Sequence, residues 1–106
     1  QILTRSVQGD RLDEDGGFLH VSGLKLRVKG HMPYDITVAD KPLDLRRVYK
    51  TVITDFMAEG GDGYHYFKGK TTYRTGSPLR ELIVDTFRLR HEITSSLDGR
   101  IIRESE

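Results

Sequence analysis

The residues best suited to chemistry lie in one stretch, Thr54 to Tyr64, which reads TDFMAEGGDGY. Phe56 offers a flat ring for stacking. Asp62 is a carboxylate framed by Gly60, Gly61 and Gly63, so no neighbouring side chain blocks access to it. A carboxylate accepts two hydroxyl hydrogen bonds at once, as dinucleotide sites do on a ribose. Ring and carboxylate together suit a ligand with a flat face and vicinal hydroxyls. The competing reading is a core phenylalanine followed by a tight glycine turn.

Other motifs carry less. Gly69-Lys70-Thr71 imitates the end of a P-loop, but that motif needs a glycine where Tyr64 stands. Asp13-Glu14-Asp15-Gly16 imitates a calcium loop, yet its register would put Arg11 and Ser22 at the first and last ligand positions. The histidines, His20, His31, His65 and His91, lack metal-ligand spacing. Lys68, Lys70 and Arg74 form a small basic cluster, read as a solvated loop or as a contact for a phosphate or a partner domain. There is no cysteine, which removes disulfides, thiolate zinc sites and cysteine nucleophiles together. No serine–histidine–acid set stands out. Neither catalytic residues nor metal ligands are therefore expected in this chain.

The elements that must position Phe56 and Asp62 follow from periodicity. Ile2 to Val7 reads as the tail of a helix, and Gln8 to Gly17 as an acidic, glycine-ended loop. Phe18 to Val28 reads as extended. Leu24, Leu26 and Val28 alternate with Lys25 and Arg27 there, the period of a half-buried strand. Gly23 predicts a bulge or a close backbone approach. Gly30 to Pro33 turns the chain, and Tyr34, Ile36 and Val38 alternate in a second strand. Lys41-Pro42 marks a turn. Val48 to Ile53, rich in β-branched residues, predicts a third strand. Phe56 to Glu59 can make one helical turn before the glycines forbid a regular helix. Tyr66 to Gly76 reads as loop or irregular strand. Ser77 as N-cap and Pro78 at the first position predict a helix to about His91. Leu79, Leu82, Ile83 and Phe87 give that helix an apolar stripe, expected to be core. Asp98-Gly99 is a hairpin-type turn signal ahead of a closing strand, Arg100 to Arg103. The expected fold class is α+β, with a mixed or mostly antiparallel sheet and one main C-terminal helix.

Length and charge narrow the function. The 106 residues make one domain or part of one. Surface scaling predicts roughly 6,000 Å² exposed for a folded chain of this size. A formal net charge of +1 argues against binding a nucleic-acid polymer through bulk charge. No apolar run approaches the roughly 20 residues of a transmembrane segment, and no signal peptide opens the chain. The first residue is Gln1, not Met, so a piece of a longer protein is expected.

Four segments resemble the C-terminal domain of the 5′-nucleotidase family, which includes UDP-sugar hydrolases and ecto-5′-nucleotidases. They are FLHVSGLKLRV (Phe18 to Val28), PLDLRRVYKTVITDFMAEGGDGY (Pro42 to Tyr64), FKG (Phe67 to Gly69) and SPLRELIVDTFRLRHEITSSLDGRI (Ser77 to Ile101). Their order agrees over about four-fifths of the chain, and the spacing of Phe56, Ala58 and the Gly-Gly-Asp-Gly run is specific. The resemblance implies a nucleotide-binding domain that grips a nucleotide or nucleoside and swings it towards a separate N-terminal metallophosphoesterase domain, absent from this chain. There, two divalent metal ions such as Zn, Mn or Co would support hydrolysis. It implies a base sandwiched between the Phe56 and Phe18 rings and a ribose held by Asp62, with Gly60, Gly61 and Gly63 shaping the loop. The family's phosphate-contacting arginines and its base-contacting asparagine lie upstream, outside this sequence. The implied location is periplasmic, secreted or cell-surface. Two alternatives remain: a non-catalytic binding or interface module with a degenerate pocket, and a single-stranded nucleic-acid binder stacking bases on Phe18, Phe56 and Tyr64.

Overall fold

The computed structural model describes residues 1–9 and 15–104. Residues 10–14 of the expected acidic loop lie outside the described residues, and with them much of the calcium-loop imitation. A short helix α1 spans Ile2–Ser6. Three strands follow: β1 (Leu24–Lys29), β2 (Met32–Val38) and β3 (Lys41–Pro42). Helix α2 (Asp55–Ala58) leads into two 3-10 turns, Gly61–Gly63 and His65–Phe67. Helix α3 (Leu79–Arg90) and strand β4 (Ile101–Glu104) complete the described chain. The sheet order is β3-β2-β1-β4. β1 pairs antiparallel with β2 and parallel with β4, so the α+β fold has a mixed sheet.

The alternation in β1 translates directly into packing. Leu26 and Val28 are buried, while Lys25 and Lys29 face solvent. Val7, just past α1, joins them, and Val21, Leu24, Ile36 and Ile101 pack around the three. The second strand departs from strict alternation. Lys25 pairs with Thr37 but Arg27 pairs with Tyr34, so β2 carries one extra residue. Asp35, at φ 50°, sits in that bulge. The extra residue reverses the facing of the side chains before it. Ile36 therefore lies against the core, while Tyr34 stands opposite Arg27, beside Glu104. The bulge thus falls not at Gly23 but twelve residues on, at Asp35 in β2. Gly23 instead takes a left-handed φ of 81°, and no atom approaches the place where a β-carbon would stand.

Several expectations are corrected. Residues 48–53 form no strand, and Val48 and Val52 are 92% and 97% exposed. β-Branched content favours a strand only where a neighbouring strand supplies a ladder, and none lies alongside. Lys41-Pro42 is not the turn but a two-residue strand paired with Thr37 and Val38. The turn falls at Ala39-Asp40, both at positive φ. Pro78, not Ser77, is the N-cap of α3, with no side-chain capping bond. Asp98-Gly99 does not close a hairpin, because β4 runs parallel to β1. The stripe on α3 is not core: no residue of that helix is buried, and Phe87 is 52% exposed.

The total exposed surface is 9,059 Å². A compact chain of this size would expose roughly 6,000 Å². Stability therefore rests on the small cluster around β1. Leu26→Ala is expected to cost about 2–5 kcal/mol. Phe87→Ala is expected to change stability by no more than about 0.5 kcal/mol, as exposed positions do. Denaturant titration of the 106-residue chain checks both, and the reverse ranking would show that α3, not β1, carries the packing.

Candidate functional site

The Gly-Gly-Asp-Gly loop is built on the single turn of α2. The Thr54 hydroxyl accepts a hydrogen bond from the Met57 amide at 3.4 Å, capping the turn. The Asp55 carboxylate accepts another from the Phe56 amide at 2.8 Å. Gly60 then leaves the helix in the left-handed region at φ 96°. Gly61 has a different reason to be glycine. The Phe56 ring lies across it, and any β-carbon there would overlap the ring. Asp62 is itself left-handed at φ 55°, a conformation aspartate tolerates better than most residues.

This backbone presents the two candidate groups outward. Phe56 is 58% exposed and, among the described residues, packs against no other ring. Asp62 is exposed, and no side chain among the described residues pairs with its carboxylate. Phe56 is not core, so the simple core-and-turn reading fails. Phe18 is half-buried, with its ring edge-on to His20 at 5.3 Å.

Two side chains absent from the expected site join the Phe18 segment to the Asp62 loop. Tyr64 is fully buried, and its hydroxyl donates to the Gly17 carbonyl. Burial, first of all, raises its phenol above the ordinary range, although Ser6 and Arg5 act the other way. Arg5, on α1, donates from Nε to the Asp62 carbonyl at 2.9 Å and pairs through Nη1 with Asp15 at 3.4 Å. Ser6 accepts from the Leu19 amide at 2.9 Å. Asp15 accepts from the Gly17 amide at 2.8 Å, which is the main reason its carboxyl lies below the usual range. Burial of Tyr64 removes it from any platform for stacking bases. The sequence signal for its role was slight: an aromatic just after a glycine-rich loop serves a core as well as a surface.

A groove of about 340 Å³ is lined by Ser22, Leu24, Lys25, Asp40, Asp98 and Arg100 among others. Its cations are already paired, Lys25 with Asp40 at 3.6 Å and Arg100 with Asp98 at 2.7 Å. The exposed ring and unpaired carboxylate define the stronger candidate, because free polar capacity rather than concavity recognises hydroxyls. In the basic cluster, Arg74 pairs with Glu59 at 3.6 Å, both well exposed, and the Lys68 stem covers Gly60. Among the described residues no three His, Asp or Glu side chains gather to hold a metal. No helix is long and apolar enough to cross a membrane, again among the described residues.

Residues 1–69 match the family model for the 5′-nucleotidase C-terminal domain. The chain belongs to that family. The match takes in α1, Phe18 and the whole Phe56–Tyr64 loop, and stops before α3. A snake venom 5′-nucleotidase from Macrovipera lebetinus is 34% identical over 61 residues, covering 57% of this chain and 15% of that protein. A second venom 5′-nucleotidase, from Gloydius brevicauda, is 34% identical over 62 residues, covering 58% of this chain and 10% of that protein. A 5′-nucleotidase from Diplobatis ommata is 29% identical over 101 residues, covering 82% of this chain and 18% of that protein. The chain thus spans less than a fifth of the length of these relatives. No solved structure matches it.

Two outcomes follow for the buried links of this domain. Tyr64→Phe should cost about 1–3 kcal/mol, since it leaves the buried Gly17 carbonyl without its donor. Denaturant titration reads this directly. A depressed carboxyl contributes stability above its unfolded pKa and loses it as pH falls through the folded value. Asp15 should therefore help at neutral pH and stop helping in acid. Asp15→Asn is expected to lower stability at pH 7 and to narrow the difference between pH 7 and the acid side of the carboxylate range.

Proposed function

We propose that this domain recognises the nucleoside part of a nucleotide for a 5′-nucleotidase-type phosphohydrolase. Phe56 offers its ring to the base, with Phe18 as the second ring. Asp62 accepts the ribose hydroxyls, and Gly60, Gly61 and Gly63 keep the loop close and clear. The observation that carries this is the exposed Asp62 carboxylate, unpaired among the described residues, close in sequence to the exposed Phe56 ring on a loop whose backbone Arg5 ties down. An acceptor held ready loses little freedom when it binds, which favours recognition.

Bond cleavage belongs to a separate metallophosphoesterase domain in this proposal. The two divalent ions expected there do not fit this chain, which gathers no ligand set among its described residues. What the chain supplies is positioning of the substrate. Relatives from venom support an extracellular setting. The exposed α3 stripe is the feature that favours an interface module. A degenerate pocket, however, would have no reason to keep Asp62 free and Phe56 out of the core.

In the full-length protein, Phe56→Ala should weaken every nucleotide by ~1–3 kcal/mol, because each base has a flat face. Asp62→Asn should cost ribonucleotides about 1.5–3 kcal/mol and 2′,3′-dideoxynucleotides much less. Equal losses for both sugars would remove the ribose role. The 106-residue chain alone should not turn over AMP with added manganese or cobalt. Activity that follows the purified chain through successive columns would contradict the division of labour.

A further inference from the structure

Arg5 meets both halves of the candidate site from behind. Its Nε bonds the Asp62 carbonyl at 2.9 Å, and its Nη1 pairs with Asp15 at 3.4 Å. Its guanidinium lies 5.7 Å from the centre of the buried Tyr64 ring. Two glycines make room for it. A β-carbon on Gly17 would overlap the guanidinium, and one on Gly63 would stand 2.8 Å from Nε. Gly17 immediately precedes Phe18, and Gly63 immediately follows Asp62. One side chain is therefore in contact with the backbone beside each recognition residue.

We propose that Arg5 is a positioning residue that couples the Phe18 segment to the Asp62 loop and so sets the distance between ring and carboxylate. This rests on the nucleoside-recognition reading above. The choice of arginine has a physical reason. A guanidinium directs several donors at fixed angles, so it serves the Asp62 carbonyl and the Asp15 carboxylate together. A lysine has one nitrogen on a flexible stem and holds the two acceptors in no fixed relation. Arg5 bonds the Asp62 carbonyl, and among the described residues no side chain pairs with the Asp62 carboxylate.

The test uses the full-length protein and two substrates, a ribonucleotide and its 2′,3′-dideoxy counterpart. Sugar selectivity is the ratio of their kcat/KM values, measured for wild type, Arg5→Met, Arg5→Lys, Gly17→Ala, Asp62→Asn and the Arg5→Met/Asp62→Asn double variant. Arg5→Met should reduce selectivity on the order of tenfold, short of the 10²-fold that a 1 Å misplacement can cost. Arg5→Lys should fall between. Gly17→Ala should shift selectivity the same way, because its methyl displaces the movable end of Arg5 while the backbone stays put. Adding Arg5→Met to Asp62→Asn should remove no further selectivity, since both act through one carboxylate.

Melting temperatures accompany each measurement. If Arg5→Met or Arg5→Lys lowers the melting temperature but keeps wild-type sugar selectivity, Arg5 is structural and the proposal is overturned. If Arg5→Met fails to fold, Arg5→Lys and Gly17→Ala decide by the same criterion. If Asp62→Asn itself leaves selectivity unchanged, the nucleoside reading fails first and the Arg5 proposal falls with it, so the two failures are distinguishable.

Discussion

The hydrogen bond from the buried Tyr64 hydroxyl to the Gly17 carbonyl joins parts of the chain 47 positions apart. Everything that could recognise a ligand depends on it. Phe18 directly follows one end of the link, and the Gly-Gly-Asp-Gly loop directly precedes the other. Leaving a phenol or a carbonyl buried and unpaired is costly, so the two segments are held together by the penalty for separating them. Helix α1 stands behind the same contact, with Ser6 on Leu19 and Arg5 on Asp62.

The sheet supplies a base for that arrangement from few residues. Its buried aliphatic centre is Val7, Leu26 and Val28. Val7 follows α1, and Leu26 and Val28 belong to β1, which pairs with β2 on one edge and β4 on the other. The helix that frames the recognition loop and the sheet thus share one core. In contrast, α3 carries an amphipathic pattern but buries none of it. The surface of 9,059 Å² reflects that long exposed stretch, and the loop carrying Phe56 and Asp62 is anchored independently of it.

Each loop glycine answers a separate constraint. Gly60 provides the left-handed exit from α2, Gly61 lies under the Phe56 ring, and Gly63 clears the Arg5 stem. A carboxylate placed among them remains unhindered on its solvent side and fixed on its backbone side. Family membership accords with this local architecture, since the matched residues run from α1 through the loop and cover every contact just described. The shallow groove beside Asp98 and Arg100 lies outside that architecture, and its charges are spent on each other.

The sequence by itself determined the local features. Alternation in Leu24–Val28 marked β1, the stripe of Leu79 to Phe87 marked a helix, and TDFMAEGGDGY marked a ring close in sequence to a glycine-framed carboxylate, without saying whether that ring was core or exposed. These depend on residues a few positions apart, where backbone preferences and periodicity decide. Tertiary structure decided what those features meet. Val48 to Ile53 has strand composition but no strand beside it, and the α3 stripe has the right period but no surface to cover it. A bulge at Asp35 sends Tyr34 to the opposite face from Ile36, which no alternation rule anticipates. The same holds for Arg5 and Tyr64. Their importance comes from partners far away in sequence, and a hydrogen bond or a buried contact leaves no periodic trace in the chain that forms it.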